Sequence, residues 1–254
     1  MKNITTIIIT LNEEENIEAC INSVQKISNE VIVVDSNSSD NTRKIAESLG
    51  AKVIVQNYLG DGPQKAFAED IAQNDWILSL DADERLDTNA VDAISALDLA
   101  SSSYDAYSLS RKTYIGKNFI KLWYPDRLFR LYNRKKCGYT QEIGHASVNA
   151  TLTSSLDGDI LHYSYSDYPQ MINNISKFSF RGAKMLYKKK KYAKWYDPMM
   201  HGIFVFLKKL VLKGGMFHGR HGWNVSVISG FNTYMKYAML LELQDENKNS
   251  ESLL

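Results

Sequence analysis

The chain has 254 residues, 44% of them hydrophobic, and its 30 Lys and Arg against 29 Asp and Glu give a formal net charge of +1. This composition is typical of a globular protein long enough to bury a full core, and it excludes a disordered or fibrous chain. The two cysteines, Cys20 and Cys137, stand outside any CxxC or Cys/His spacing, which excludes a zinc site and a disulfide framework and favours a reducing cytoplasm.

Charge is distributed unevenly along the chain. Residues 1–100 carry 18 acidic and 7 basic side chains, a net of −11, whereas residues 181–221 carry 11 basic side chains and one acid, a net of +10. The basic end therefore predicts an anionic surface or polymer as a partner. The apolar run at the N-terminus is too short for a signal peptide, and no segment has the roughly 18 uncharged apolar residues of a membrane-spanning helix. We therefore expect neither export by that route nor a membrane span.

In chain order, the first part of the sequence alternates short apolar runs with amphipathic segments. The predicted strands are residues 4–10, 31–34, 51–56 and 75–80, and the predicted helices are residues 16–27, 42–50 and 62–73. Continuous apolar strands that alternate with helices predict an α/β fold whose mostly parallel sheet is covered by helices on both faces.

Polar residues follow the predicted parallel strands where ligands bind in such sheets. They are Asn12 and Glu13 after the first strand, Asp35 after the second, and Asp81 and Asp83 after the fourth. With Glu84, the last two place three carboxylates within four positions. Such a cluster is unfavourable unless a cation or hydrogen-bond donors offset the repulsion, so we expect it to have a function.

The pattern changes after residue 84. A helix is predicted over residues 84–100, strand-like alternation over 104–135 indicates antiparallel edge elements, and helical spacing returns from Asp167. The polar tail that begins at Gln244 is expected to fray.

Four stretches in this order resemble family 2 glycosyltransferases, inverting enzymes with the GT-A (Rossmann-like) fold. They are "TLNEEENI", "VVDSNSSDNT", "QKAFAED" and "LDADE". The later stretches "WYPDRLFRLYNR", "QEIGHASV" and "HYSY" resemble the branch that adds glucose through a β-1,4 linkage to the lipopolysaccharide core. The resemblance covers most of the chain and is most specific in the first 90 residues.

The resemblance implies a nucleotide-sugar donor and a divalent cation, Mg²⁺ or Mn²⁺, that offsets the charge of the departing diphosphate. It implies Asp83 as a metal ligand, with Asp81 sharing the ion or contacting the ribose. The other residues implied to bind the nucleotide sugar are Thr10, Asn12, Glu13, Asp35, Lys65 and Arg127. Two readings of His162 stay open, a further metal ligand and a satisfied core histidine.

Inversion requires a base that takes a proton from the acceptor hydroxyl. The resemblance implies Glu142 in "TQEIGH" for this role. Relatives more usually have His-Glu here, whereas this chain has Gln141 before Glu142 and His145 three positions later. Asp126 in "YPDR" is the second candidate.

The basic end interleaves lysines with aromatic residues in "YKKKKYAKWY" and continues into the apolar "GIFVFLKKLVLKGGMF". This pattern is typical of a helix that lies in an anionic membrane interface. Nucleic-acid binding is the competing interpretation and a solvated helix the simplest one; the apolar companion segment favours the membrane.

The sequence therefore predicts three regions: a donor-binding half over residues 1–100, an acceptor-binding half over 101–170 and a C-terminal helical membrane-associating region over 171–254. The predicted reaction moves a hexose from a UDP-sugar, UDP-glucose first, to an inner-core sugar of lipopolysaccharide, a lipid-linked acceptor. The predicted location is cytoplasmic, peripheral on the inner face of the inner membrane.

Three alternatives remain at this point. Another family 2 enzyme would move galactose or an N-acetylhexosamine onto a different lipid-linked or surface glycan. A nucleotidyltransferase would also need metal-binding carboxylates, but it would carry a Gly-rich basic loop where this chain has "NEEE". A non-catalytic membrane-binding module would not need Asp81 and Asp83.

Overall fold

The structure, a computed structural model, describes residues 3–140 and 146–251. The chain forms two compact units. Unit 1 comprises Met1–Thr113 and Tyr124–Ser164, and unit 2 comprises Tyr114–Trp123 and Tyr165–Leu254.

Unit 1 begins with a parallel sheet whose strands follow the order β3-β2-β1-β4. The strands are β1 (Ile4–Thr10), β2 (Glu30–Asp35), β3 (Lys52–Val55) and β4 (Trp76–Asp81), and the helices between them are α1 (Ile17–Val24), α2 (Thr42–Ser48) and α3 (Asp61–Asp70). Both faces are buried: Ile4 and Ile8 pack with α1 on one face, while Ile7 packs with Ala68 of α3 on the other. This two-sided burial is why the strands are continuously apolar.

The sheet continues beyond β4 with strands that run antiparallel, as the later part of the sequence predicted. They are β5 (Glu84–Leu86), β6 (Ala106–Ile115), β7 (Asn118–Phe119), β8 (Asp126–Asn133) and β9 (Thr153–Tyr165), in the order β4-β8-β6-β9-β5 with β7 paired to β6. They form about half of the sheet rather than a marginal edge.

The helix predicted over residues 84–100 begins later than expected. Glu84–Leu86 is strand β5, which pairs antiparallel with β9 from Glu84 opposite His162 to Leu86 opposite Ile160. Helix α4 (Thr88–Ala96) follows, and Oδ1 of Asp87 caps it by accepting a 2.8 Å hydrogen bond from the backbone N–H of Ala90. The first three residues are extended because pairing with a strand far along the chain overrides their local pattern.

Unit 2 is mainly helical, as the spacing after Asp167 predicted. Its helices are α5 (Tyr168–Lys188), α6 (Asp197–Leu207) and α7 (Gly219–Glu251), with a π-helical turn at Lys208–Leu212 and a 3₁₀ turn at Gly215–Phe217 between the last two. A Cβ on Gly230 would lie 2.9 Å from the carbonyl oxygen of Gly202, so two glycines allow α6 and α7 to approach closely. None of the described helices is both long and apolar enough to cross a bilayer.

The C-terminal segment differs from the expected frayed tail at its first residue. Gln244 is buried within α7, its side chain accepts a 2.7 Å hydrogen bond from the N–H of Ala193, and it donates to the carbonyl of the same residue. Taken together, the parallel strands, the helices on both faces and the helical appendage confirm the predicted α/β class.

Candidate active site

The residues predicted at the ends of the parallel strands lie on one rim of unit 1. Thr10 at the end of β1 pairs in register with Asp35 of β2, and Ile9 pairs with Asp81 of β4. The ends of three adjacent strands, β2, β1 and β4, therefore form this rim. This is the edge of an open α/β sheet at which ligands bind.

Asp81 is held by two buried cations. Nζ of Lys65 lies 2.7 Å from Oδ1 of Asp81, and a guanidinium nitrogen of Arg130 lies 3.1 Å from Oδ2. Lys65 extends from α3 and Arg130 from β8, and both are almost fully buried. The carboxylate is therefore compensated by the protein itself.

The protonation states in this group follow from those contacts. Burial alone would raise the pKa of Asp81, but the charges of Lys65 and Arg130 outweigh it and hold that pKa well below its usual range. For Lys65, burial and the nearby Arg130 act to lower the pKa, yet the attraction of Asp81 and other acidic groups leaves it raised. Asp81 and Lys65 are thus an ionised pair at neutral pH.

The ion pairs continue through Glu84 to Asp126. Arg130 lies 2.6 Å from Oε1 of the fully buried Glu84, and Arg111 of β6 lies 3.3 Å from the same oxygen. Arg111 also donates to Oδ2 of Asp126 from two nitrogens, at 2.6 and 3.0 Å. Three basic side chains therefore offset three carboxylates. Glu84 does not pair with Arg85, and Asp87 rather than Asp81 caps the following helix.

Asp83 differs from the other carboxylates of the cluster. Among the residues that the structure describes, no Lys or Arg forms an ion pair with it; its Oδ2 instead lies 3.1 Å from Nε2 of His162. Both side chains remain partly accessible, with 21% and 13% of their surface exposed. Ser164 and Thr113 contribute further hydrogen bonds to the ring, at 3.2 and 3.3 Å.

The surroundings of His162 raise its pKa and so favour the protonated ring. Burial favours the neutral imidazole, but the hydrogen bond and charge of Asp83 outweigh burial and raise the pKa of His162. Asp83 and His162 thus form a partly accessible pair next to the closed ion-pair network. Within the described residues, no three His, Cys, Asp or Glu side chains are gathered in a way that could hold a metal ion.

Hydrogen bonds join the loop after β1 to the segment after β2, and they involve residues that the sequence predicted to bind the nucleotide. Asn12, which adopts a left-handed backbone conformation with φ 54°, accepts a 2.8 Å hydrogen bond from the N–H of Ser39. The N–H of Glu13 donates to Thr42 at 2.8 Å. Burial is the main reason why the pKa of Glu13 is raised; its hydrogen bond from Asn16 opposes the change. These contacts fix the loop conformation on the rim.

Asp35 and Thr10 each have a buried oxygen without a hydrogen-bond partner among the residues that the structure describes. Oδ1 of Asp35 accepts from the N–H of Ser38 at 2.9 Å, while its Oδ2, like Oγ1 of Thr10, has no partner within this part of the chain. An unpaired buried acceptor costs about 1–3 kcal/mol. A ligand that donates a hydrogen bond to Oδ2 would recover that energy, although Asp35 is closed to solvent in this conformation.

The remaining predicted residues have different surroundings. Lys65 lies in α3, within the helix that the sequence predicted, and it pairs with Asp81. Arg127 is exposed on β8. Asp126 forms an ion pair with Arg111, and 37% of its side-chain surface is exposed. The predicted base Glu142, together with Gln141 and His145, lies outside the described residues.

The sequence did not identify two further members of the network. Arg111 stands 27 positions from Glu84, and nothing in its local pattern marks it. Tyr139 accepts a 3.3 Å hydrogen bond from Arg130 through its hydroxyl, and its ring lies under Nζ of Lys65, 5.1 Å from the nitrogen. Three clustered carboxylates need cations nearby. This need was the signal in the sequence that could have prompted a search for Arg111 and Tyr139.

The chain matches a known protein family over the region that contains this carboxylate cluster. The family model for glycosyl transferase family 2 matches residues 5–156, more than half of the chain. The chain therefore belongs to glycosyl transferase family 2, as the sequence motifs predicted.

Relatives along nearly the whole chain support the same assignment. An uncharacterized glycosyltransferase of Rickettsia typhi is 35% identical over 264 residues, which cover 98% of this chain and 90% of that protein. The lipopolysaccharide core biosynthesis glycosyltransferase LpsC of Rhizobium meliloti is 26% identical over 223 residues, 84% of this chain and 82% of that one. The protein is a glycosyltransferase, which sets aside the nucleotidyltransferase and the non-catalytic module.

One solved structure aligns with most of the chain in a comparison of backbone structures. The crystal structure of S. aureus TarS residues 1–349 in complex with UDP covers 93% of this chain and 90% of its own, with a TM-score of 0.49 and 16% sequence identity.

Proposed function

We propose that this glycosyltransferase inverts the anomeric centre while it transfers a hexose, glucose first, from a UDP-sugar to an inner-core sugar of lipopolysaccharide. The observation that carries the proposal is the Asp83–His162 pair. Asp83 is the carboxylate of the strand-end cluster that has no Lys or Arg ion pair among the described residues, and it remains partly accessible. Its neighbours Asp81 and Glu84 are already compensated.

The pair fits a divalent cation, which would bind the neutral imidazole of His162 and displace the proton that Asp83 favours. Two ligands that bind one octahedral ion at about 2.1 Å lie about 3 Å apart, and Oδ2 of Asp83 and Nε2 of His162 are 3.1 Å apart. Carboxylate oxygen suits Mg²⁺ and Mn²⁺, and the imidazole nitrogen shifts the preference toward Mn²⁺. When bound, such an ion offsets the charge that develops on the departing diphosphate. Asp81 is the weaker candidate ligand, because both of its oxygens are engaged by Lys65 and Arg130.

The nucleotide is assigned to the rim formed by the loops after β1 and β2. Oδ2 of Asp35 is an acceptor that has no hydrogen-bond partner in the described part of the chain, and it suits the imide N–H of uracil. Thr10, Asn12 and Glu13 lie beside it on the same rim and are proposed to orient the base and ribose. Lys65 supplies positive charge next to Asp81, and the exposed Arg127 is proposed to contact phosphate or an anionic acceptor group.

In the transfer step, a carboxylate accepts the proton of the acceptor hydroxyl while that oxygen bonds to the anomeric carbon. The bond from this carbon to the diphosphate oxygen breaks, and UDP leaves on the opposite face. Glu142 and Asp126 are the two candidates for the base. A proton on Asp126 would compete with its two hydrogen bonds from Arg111, which favours Glu142.

The proposed acceptor is lipid-linked, and unit 2 has a surface suited to a membrane. Large apolar side chains are exposed along it, including Trp195 at 84%, Phe217 at 81% and Leu212 at 77%. Exposed lysines occur nearby in the sequence at residues 188–191, 208 and 213. Aromatic and lysine side chains together favour an anionic membrane interface. With the lipopolysaccharide core enzyme LpsC among the relatives, this supports a peripheral location on the cytoplasmic face of the inner membrane.

Donor hydrolysis across a panel of UDP-sugars, measured with Mn²⁺, with Mg²⁺ and with chelator, tests the proposed donor and ion. We expect UDP-glucose to turn over fastest and only with a divalent ion. Faster turnover of UDP-galactose or a UDP-N-acetylhexosamine would instead support the alternative family 2 reaction. Turnover unaffected by chelator would exclude the role of the Asp83–His162 pair.

Two conservative variants distinguish the candidate bases. If Glu142 is the base, Glu142→Gln should reduce transfer by at least about a hundredfold, while the Km for the donor changes little. Asp126→Asn should then retain most of the transfer rate. The reverse result would assign the base to Asp126.

A further inference from the structure

Unit 2 contains a pocket that the proposed transfer reaction does not use. Its volume is about 270 Å³, slightly below the range of roughly 300–1,000 Å³ that is typical of small-molecule sites. Apolar side chains form part of its wall, among them Trp123, Met171, Ile175, Phe178, Val205 and Ile228, and polar side chains such as Ser229, Asn232 and Thr233 form the rest. Its size and lining suit one part of a ligand, such as the end of a single hydrocarbon chain.

Lys209 adds a positive charge to the wall of this pocket. The residue lies in the π-helical turn Lys208–Leu212, and its Nζ stands 5.4 Å from the centroid of the Trp123 ring. π-Helical turns are rare and are often found at functional sites. Lys209 is half-buried and lines the pocket, whereas Lys208 and Lys213 are exposed.

Lys209 lacks a negatively charged partner within the described part of the chain. No Asp or Glu there forms an ion pair with it, and its charged neighbours are the lysines Lys208 and Lys213. Burial, reinforced by the repulsion from these two lysines, lowers the pKa of Lys209 to about 8. A half-buried ammonium group beside two like charges is unfavourable unless an anion compensates it.

We propose that this pocket binds one hydrocarbon chain of an amphiphile whose anionic head group pairs with Lys209. The apolar side chains of the wall account for the chain, and Lys209, which has no acidic partner among the described residues, accounts for the negative charge of the head group. The inference goes beyond glycosyl transfer and does not rest on the proposed donor or ion. Two sources share this chemistry: a bilayer phospholipid and the phosphate of an isoprenoid carrier.

Isothermal titration calorimetry with dodecyl phosphate, kept below its micellar concentration, tests the proposal on the full-length protein. We expect saturable binding that neither inorganic phosphate nor dodecyltrimethylammonium reproduces, because the site requires both the chain and the negative charge. Lys209→Gln should weaken binding by at least about tenfold, the effect of losing a charge-assisted contact. The matched control Lys208→Gln removes the same charge from the neighbouring exposed position and should change the affinity by less than about twofold.

A second variant tests the pocket itself. Ser229 lines it, and Ser229→Leu should fill it and weaken dodecyl phosphate binding by a similar factor while thermal unfolding shows a folded protein. Equal effects of Lys208→Gln and Lys209→Gln, equal binding of the cationic detergent, or normal binding to folded Ser229→Leu would each overturn the proposal. Competition by short-chain phosphatidylglycerol would identify a bilayer phospholipid as the source, and competition by farnesyl phosphate alone would identify an isoprenoid carrier.

Discussion

At the scale of single residues, the strand-end carboxylates of unit 1 have two different arrangements. Asp81 and Glu84 are neutralised by Lys65, Arg130 and Arg111 within hydrogen-bonding distance. Asp83 instead faces His162. The internal ion pairs stabilise the rim, and the partly accessible pair of Asp83 and His162 is the proposed ligand site. Clustered charge therefore contributes to structure at this rim, and its functional role is a proposal.

Arg130 is the residue whose loss should harm stability most. Arg130→Met would leave Glu84 and Asp81 with fewer cations in a buried setting, and breaking such a pair costs about 3–5 kcal/mol in the free energy of unfolding. The matched variant Lys135→Met breaks the exposed pair with Asp75 and should cost at most about 1 kcal/mol. Urea unfolding monitored by circular dichroism measures both. Equal losses would mean that the buried network adds little to stability.

Asp81 should make stability depend on pH in a definite direction. Its pKa is lowered in the folded protein, since Lys65 and Arg130 outweigh the effect of burial. A lowered pKa adds stability at pH values above the unfolded-state pKa of about 3.9, and this contribution is lost as the pH falls. The difference in unfolding free energy between the wild type and Asp81→Asn should therefore be constant near neutral pH. Below about pH 4 it should narrow by up to about 1.4 kcal/mol per unit. Urea unfolding at several pH values measures this difference in unfolding free energy. A difference that stays constant below about pH 4 would contradict the predicted role of Asp81.

At the scale of elements, the sequence predicted the parallel strands and the helices that alternate with them, because each of these elements is marked by its own local pattern. It missed β5, because Glu84–Leu86 becomes extended only by pairing with β9, more than 70 residues later. It also did not predict that Lys65 pairs with Asp81, because the packing of α3 against the sheet is what buries Lys65 there. Contacts between distant segments were the part that local periodicity could not supply.

The approach of β9 to α4 depends on Gly158. This residue has φ +92°, and a Cβ there would lie 2.1 Å from the backbone nitrogen of Ala90. Gly158→Ala should therefore cost at least about 2 kcal/mol through a clash added to backbone strain. Gly50 is the matched control, since it has φ +81° but no atom within 4 Å of its Cβ position, so Gly50→Ala should cost only about 1–2 kcal/mol. Thermal and urea unfolding compare the two, and a smaller loss for Gly158→Ala would contradict the close approach.

At the scale of the whole molecule, the uneven charge of the sequence corresponds to two different proposed tasks. The acidic N-terminal part contains the candidate active site, and the basic, aromatic part lies in unit 2. The sequence predicted both features, because composition and motif order are local properties. It could not predict which carboxylate stays accessible, since that depends on cations from α3, β6 and β8. The predicted base, Glu142, lies outside the described part of the chain, so its role stays a prediction.

The lysines of unit 2 should determine binding to anionic membranes. Replacing Lys189 and Lys191, both exposed, with Gln should lower the partition onto phosphatidylglycerol vesicles by roughly tenfold or more, because each lysine near the surface contributes about 1 kcal/mol. Replacing Lys44 and Lys52, exposed lysines of unit 1, removes the same charge and should have little effect. Vesicle sedimentation at low and high salt measures the partition. Equal losses for the two pairs would mean that net charge, rather than this surface, drives binding.

The central claim is that the accessible Asp83, together with His162, holds a divalent ion that binds the diphosphate of the donor. Calorimetric titration of UDP-glucose into the protein, with Mn²⁺ and with chelator, tests it most directly. We predict binding that needs Mn²⁺, that weakens by at least about a hundredfold in Asp83→Asn, and that is unchanged in Asp75→Asn, which alters a carboxylate beside the opposite end of β4. Equal affinity with chelator, or an Asp83→Asn variant that binds the donor like the wild type, would contradict the claim.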